Sequence, residues 1–143
     1  MDDRTLWSIV YVSSAVHPFD TEVMEAILGE SRVFNAAHDV TGVLLHSDGN
    51  LMQCIEGPKS SLDLVYARIR ASRRHHDLLE LLNGPIEERC FKGWELGYAQ
   101  PTRSALIELS TVRWEETLHA DHGSGRIPWG LRHLQGFWER ARR

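Results

Sequence analysis

The pattern of apolar and polar positions divides the chain into short elements. Leu6 to Ser14 is rich in β-branched and aromatic residues and predicts a first strand. Pro18-Phe19-Asp20 follows, with Asp20 placed as a helix cap. Val23, Met24, Ile27 and Leu28 then recur at helical spacing, predicting a helix to about His38. Val40 to His46 and Leu51 to Ile55 predict a second and a third strand. Between them stands Ser47-Asp48-Gly49-Asn50, a tight-turn signal. After the Gly57-Pro58 break, Ser60 with Asp63 three residues on resembles a capping box. Leu62, Val65, Tyr66 and Ile69 form the stripe of a second helix ending near Arg74. Leu78 to Leu82 predicts a fourth strand. After the Asn83-Gly84-Pro85 turn, Arg89 to Ala99 predicts a fifth.

The order βαββαββ is most economically packed as an α+β, ferredoxin-like sandwich with both helices on one sheet face. Two shorter helices are expected from Ser104 onward. The first would turn Ile107, Trp114 and Leu118 to one side. The second would start near Pro128, after Gly123-Ser124-Gly125, and carry Leu134, Phe137 and Trp138. The third strand is apolar on both sides, with Leu51 and Ile55 on one and Met52 and Cys54 on the other. Two-sided burial calls for a second cover, and the C-terminal helices of this chain or of a partner subunit are the candidates. We therefore expect a domain over residues 1–100 and a helical extension over 101–143.

Bulk composition narrows the function classes. A chain of 143 residues makes one ordinary domain. A net charge of −4, from 20 acidic and 16 basic residues, favours neither nucleic acid nor an anionic membrane as partner. Arg140, Arg142 and Arg143 read as a solvated basic end. The acidic start, Met1-Asp2-Asp3-Arg4, is unlike a secretory leader. No uncharged run approaches the ~18 residues of a membrane span. Cys54 and Cys90 read as buried thiols in a reducing, cytoplasmic setting.

A few polar residues sit oddly for a plain core. Gln53 shares a strand face with Leu51 and Ile55, where an amide is costly unless it is hydrogen-bonded. Tyr11 shares a face with Trp7 and Ile9. Asn35 continues the stripe of Leu28 and Ser31 along the first helix. Arg68, Ser72 and His75 fall on one stripe of the second helix, with His75 near its end. Each alone is ordinary: an amide satisfied by backbone, a tyrosine at the rim, a solvated helix shoulder. Together they describe a slot between two helices over a sheet, apolar with a few convergent polar groups, as a cofactor site is built.

These residues belong to an ordered set that resembles the BLUF domains, sensors of blue light using flavin. Over roughly residues 5 to 100 the carriers are Tyr11-Val12-Ser13-Ser14, Ser31-Arg32 with Asn35, and Val40-Thr41-Gly42-Val43-Leu44-Leu45. Then come Gln53-Cys54-Ile55-Glu56-Gly57, Arg74-His75, and Phe91-Lys92-Gly93-Trp94-Glu95-Leu96-Gly97. The resemblance implies a flavin, FAD with FMN as the alternative, held noncovalently between the two helices. It implies cofactor-binding roles for Ser31, Arg32, Asn35, Gln53, Arg68 and His75. Asn35 would bond the ring's carbonyl and imide edge. It also implies a photochemical relay through Tyr11, Gln53, Trp94 and Leu96, with Gln53 between flavin and phenol and Trp94 on the last strand. A phenol can give an electron and a proton, and an amide can pass a proton and then re-pair. The expected signature is a small red shift of flavin absorption.

Three positions depart from the family pattern. Leu96 stands where most members carry methionine, Ser72 replaces a usual aspartate that could hold Arg68, and Phe34 replaces a polar residue. No catalytic activity and no metal site are expected. His75-His76 and His119 with His122 lack the carboxylate or cysteine that would complete a ligand set. The competing reading is a flavin-free binding module of the same fold. With the chain ending at Arg143, the signal is expected to pass to another chain, through a homo-oligomer or a separate downstream protein.

Overall fold

The computed structural model describes residues 5–17, 19–112, 114 and 129–141. The expectations at Met1 to Arg4, Pro18, Leu118, His119, His122, Gly123 to Gly125, Pro128, Arg142 and Arg143 lie outside them. So does the side chain of Trp129.

The elements are β1 (Leu6–Ala15), α1 (Thr21–Ala37), β2 (Thr41–Ser47), β3 (Asn50–Pro58), α2 (Lys59–Ala71), β4 (His75–Pro85), β5 (Gly97–Ala99), α3 (Arg103–Thr111) and α4 (Trp129–Ala141). The strands form one sheet in the order β4-β1-β3-β2-β5. β1 runs antiparallel to both β3 and β4, and β2 antiparallel to β3; β5 is added parallel to β2. This is the expected α+β, ferredoxin-like arrangement. The β2–β3 hairpin turns where the sequence signalled it. Asp48 and Gly49 both adopt positive φ, 48° and 81°, as a tight hairpin turn matched to strand twist requires. Asp20 caps α1, its carboxylate accepting from the Val23 N–H at 2.8 Å.

The sheet separates two cores. On the α1/α2 face lie Ile9, Tyr11, Ile55, Leu62 and Val65, with Met24, Leu28, Leu44 and Leu51 beside them. On the other face Val10, Met52 and Cys54 meet Leu106 and Leu109 of α3, Trp114, and Leu131, Leu134 and Trp138 of α4. The second cover is thus supplied within the chain. A buried leucine such as Leu134 contributes on the order of 2–5 kcal/mol against its truncation to alanine.

Several boundaries differ from expectation, each for a local reason. The helix α2 begins at Lys59 behind Pro58, without a side-chain cap. Ser60 and Asp63 are therefore interior, and Asp63 pairs with Lys59 at 3.1 Å instead of closing a capping box. α2 stops at Ala71, because Ser72 turns extended and its hydroxyl accepts from the Arg74 N–H at 3.2 Å. Ser72 and His75 therefore leave the helical stripe, and His75 opens β4. On α3 the buried positions are Leu106 and Leu109, while Ile107 is 52% exposed.

The largest correction concerns residues 89–96, which are not strand. The N–H groups of Cys90 and Phe91 donate to the Glu56 carboxylate at 2.8 and 2.7 Å instead of to a neighbouring strand. The Thr41 hydroxyl donates to the same carboxylate at 3.0 Å, and Arg89 donates to Thr41 Oγ1 and to Asp39 O, both at 2.9 Å. Gly93 then turns with φ 88°. Glu56 is fully buried, and burial holds its carboxyl above the ordinary value against the opposing pull of these donors.

Removing that carboxylate orphans two buried N–H groups. Glu56→Ala is expected to cost at least about 2 kcal/mol in urea unfolding, and a loss below about 0.5 kcal/mol would contradict the clamp. The folded state also binds the Glu56 proton more tightly than the unfolded chain. That contribution is complete below about pH 4.5, the unshifted value, and declines as pH rises through the raised folded value. Stability should therefore fall more between those values in wild type than in Glu56→Gln.

Candidate functional site

Tyr11 and Gln53 are directly opposed residues of β1 and β3, so the register puts their side chains side by side on the α1/α2 face. Both are buried, at 3% and 6% exposure. The Tyr11 hydroxyl donates a hydrogen bond to the Gln53 amide oxygen. Burial first, and the neighbouring Tyr66 second, hold the Tyr11 phenol above its ordinary pKa, so it stays a protonated donor.

The Tyr11 ring is flanked by Tyr66 and His75, with centroids 6.2 and 5.9 Å away. Tyr66 is tied to β4 through its hydroxyl, which donates to Glu80 at 2.7 Å. Both ring nitrogens of His75 are committed. Nε2 lies 2.8 Å from Ile69 O, which can only accept, so Nε2 carries the proton. Nδ1, 2.8 Å from Ser13 Oγ, is then the acceptor in the neutral ring. His75 thus braces β4 against β1 and the end of α2 beside Tyr11.

Tyr11, Gln53 and His75 line a cleft of about 330 Å³ between α1 and α2, within the ~300–1,000 Å³ range of small-molecule sites. Its apolar lining comes from Phe19, Ile27, Leu44, Leu51, Val65, Ile69 and Leu96. Asn35, late in α1 and buried, lines the cleft while its amide nitrogen donates to Glu95 O at 2.7 Å. Among the described residues neither the Asn35 amide oxygen nor the Gln53 amide nitrogen has a partner. One acceptor and one donor are therefore available to an occupant. This donor set suits the carbonyl and imide edge of an isoalloxazine ring, and the apolar walls suit its faces.

Ser31, Arg68 and Arg74 line the cleft as well. Arg68 lies 4.8 Å above the Phe34 ring and 3.9 Å from Glu30; Arg74 is 3.2 Å from the same carboxylate. The counter-charge for Arg68 thus comes from α1, and Phe34 serves it as an aromatic platform. Two of the three sequence departures are accommodated in this way.

Of the residues singled out in the sequence, Tyr11, Ser31, Asn35, Gln53, Arg68, Ser72, His75 and Leu96 share the cleft. Arg32 does not line it; its Nε donates to Leu96 O at 2.9 Å and holds the chain entering β5. Trp94 is the misplaced residue. It precedes β5, faces the opposite core and meets Trp138 edge-to-face at 5.2 Å. Sequence reasoning gave no role to Leu44 or Arg74. Leu44 was recoverable, since it stands opposite Gln53 in the β2–β3 pairing. Arg74 gave no periodic signal, because it follows the end of α2.

A family model described as sensors of blue-light using FAD matches residues 6–97, more than half the chain. The photoactivated adenylate cyclase subunit beta of Euglena gracilis is 36% identical over 95 residues, covering 66% of this chain and 11% of that protein. The alpha subunit from the same organism is 33% identical over 108 residues, covering 76% and 10%. The chain therefore spans about a tenth of the length of the curated relatives it matches. Among solved structures, the dark state of BlrB, a BLUF protein, superposes with a TM-score of 0.70 at 26% identity, over 95% of this chain and 99% of that one. A bacterial light-regulated adenylyl cyclase gives 0.64 at 28% identity, over 66% and 28%.

The three tyrosines give the site a titration signature. Burial is the first cause holding each of Tyr11, Tyr66 and Tyr98 above the ordinary value of 10.0. The neutral phenols' contribution to stability is complete below pH 10 and is lost as pH rises through the raised folded values. Tyrosinate absorbance at 295 nm in the folded chain should lag behind that of the denaturant-unfolded chain as pH passes 10. Coincident curves would contradict the buried phenols.

Proposed function

The chain belongs to the BLUF family of flavin-binding blue-light sensors, and from that premise we propose how its own residues do the sensing. The observation that carries the proposal is the buried Tyr11–Gln53 hydrogen bond on the floor of the cleft. FAD, the flavin in the family's description, is the proposed occupant, with FMN the alternative. Asn35 and Gln53 would meet the polar edge of its ring, Ser31 would line the pocket beside them, and Arg68 would stand at the pyrimidine end. Arg32 would act at one remove, by holding the Leu96 carbonyl, and His75 by bracing Tyr11. Trp94 drops out of the relay, because it faces the other core.

When bound, the flavin supplies blue-light absorption and an excited state that oxidises phenols. Tyr11 is the phenol in place, and its proton points at the Gln53 amide oxygen. An amide that receives on oxygen and gives from nitrogen can pass that proton on and settle into a different set of hydrogen bonds. The cleft's apolar lining keeps water from competing for them. The protein contributes position and electrostatics, and the cofactor the light chemistry.

Residues 1–100 would then be the sensing domain and 101–143 the cover that reads it. Output is proposed to leave through β5 and the C-terminal helices toward a partner, either a second copy or a downstream protein. Trp114 and Trp138 are spent inside the chain, so they contribute packing and not an interface. Among the described residues no helix is long and apolar enough to cross a membrane. Cys54 and Cys90 are free thiols raised by burial, Cys90 to about 12, which suits a reducing cytoplasm.

Tyr11→Phe and Gln53→Leu, reconstituted with FAD, should retain flavin and lose the light-induced red shift entirely. A wild-type shift in either variant would overturn the relay. Failure of the wild-type chain to take up flavin would favour the flavin-free binding module.

A further inference from the structure

We propose that Trp138 of α4, seated on Gly97 of β5, is the residue that reads the cleft from the opposite side of the sheet. The inference rests on the flavin reading above and names the contact through which that site signals.

Leu96 lines the cleft, while its neighbour Gly97 opens β5 opposite Val43 of β2, which is committed to the other core. The Trp138 indole lies directly on the Gly97 backbone. A Cβ there would come within 2.5 Å of two of its ring carbons, so only glycine admits the ring. Trp94 closes the seat edge-to-face, at an interplanar angle of 87°. The chain entering β5 is pinned from the cleft side, Glu95 O by Asn35 and Leu96 O by Arg32. Asn35 therefore serves both the cleft and the strand. Any change in what its amide bonds alters the pull on residues 95–97, and Trp138 lies on the far side of that segment.

The second observation is the indole N–H. Trp138 Nε1 is buried without a hydrogen-bond partner, and it is the one such side-chain atom among the described residues. A buried unpaired donor raises the free energy of the state that contains it. A second state in which the strand shifts and the N–H gains an acceptor is favoured by that difference. Light at the cleft need only bias a balance already tilted. Trp138 is a positioning residue in this account and touches no flavin.

The test is light-minus-dark ultraviolet resonance Raman of the FAD-loaded full chain, which reports hydrogen bonding at indole N–H, recorded together with the flavin absorption. Wild type should show one tryptophan gaining an N–H hydrogen bond in light. Trp138→Phe, which keeps an aromatic ring without the donor, should lose that signal and retain the red shift. Gly97→Ala should also retain the red shift while unseating the indole and losing the light-dependent change. A red shift without any indole change, or the same change in Trp138→Phe, overturns this inference alone. No red shift in wild type overturns the flavin reading and this inference with it.

Discussion

The hydrogen bond from Tyr11 to Gln53 exists because β1 and β3 are neighbours in a fixed antiparallel register. Strand side chains alternate with a period of two, so a slip of one residue would turn Tyr11 or Gln53 to the opposite face. That slip is resisted from both sides of the sheet. Ile9 and Ile55 are committed to the core under α2, and Val10, Met52 and Cys54 to the core under α3 and α4. The chemistry of two side chains is thus held by packing of residues that do not themselves line the cleft.

The rest of the site is built outward from that pair. α1 and α2 straddle it, with Glu30 reaching across to Arg68 and Arg74 at the mouth. These ion pairs are half-exposed and contribute little to stability, typically about 0–1 kcal/mol. Their value lies in where they keep the two cations. Glu56 does the opposite kind of work. Fully buried, it collects the N–H groups of Cys90 and Phe91 and anchors the segment that brings Leu96 to the cleft and Gly97 to the other core. One short stretch of chain is in this way held from both sides of the sheet.

Much of this was legible in the sequence, and the reason is periodicity. Alternation in β1 and β3 placed Tyr11 and Gln53 on one face. Asp48-Gly49 fixed the hairpin, and the two-sided apolarity of β3 foretold the second cover. What periodicity cannot show is where a backbone N–H finds its acceptor. Residues 89–96 carry a strand-like composition, yet Cys90 and Phe91 bond a carboxylate more than thirty residues away. The Ser72 turn and the uncapped start of α2 behind Pro58 are similar cases, in which a local hydrogen bond or a neighbouring strand overrides the helical pattern. Trp94 was expected on the last strand for the same reason, and it lies before β5 against the other core. Tyr11, Asn35 and Gln53 lie together in the cleft because they sit on regular elements, where periodicity sets the face.

The most direct measurement is the absorption spectrum of the purified wild-type chain carrying flavin, taken in darkness, under blue light and during return to darkness. A flavin band that moves to longer wavelength in light and relaxes back is the result the Tyr11–Gln53 account requires. A bound flavin whose band stays fixed, or only bleaches, would contradict it.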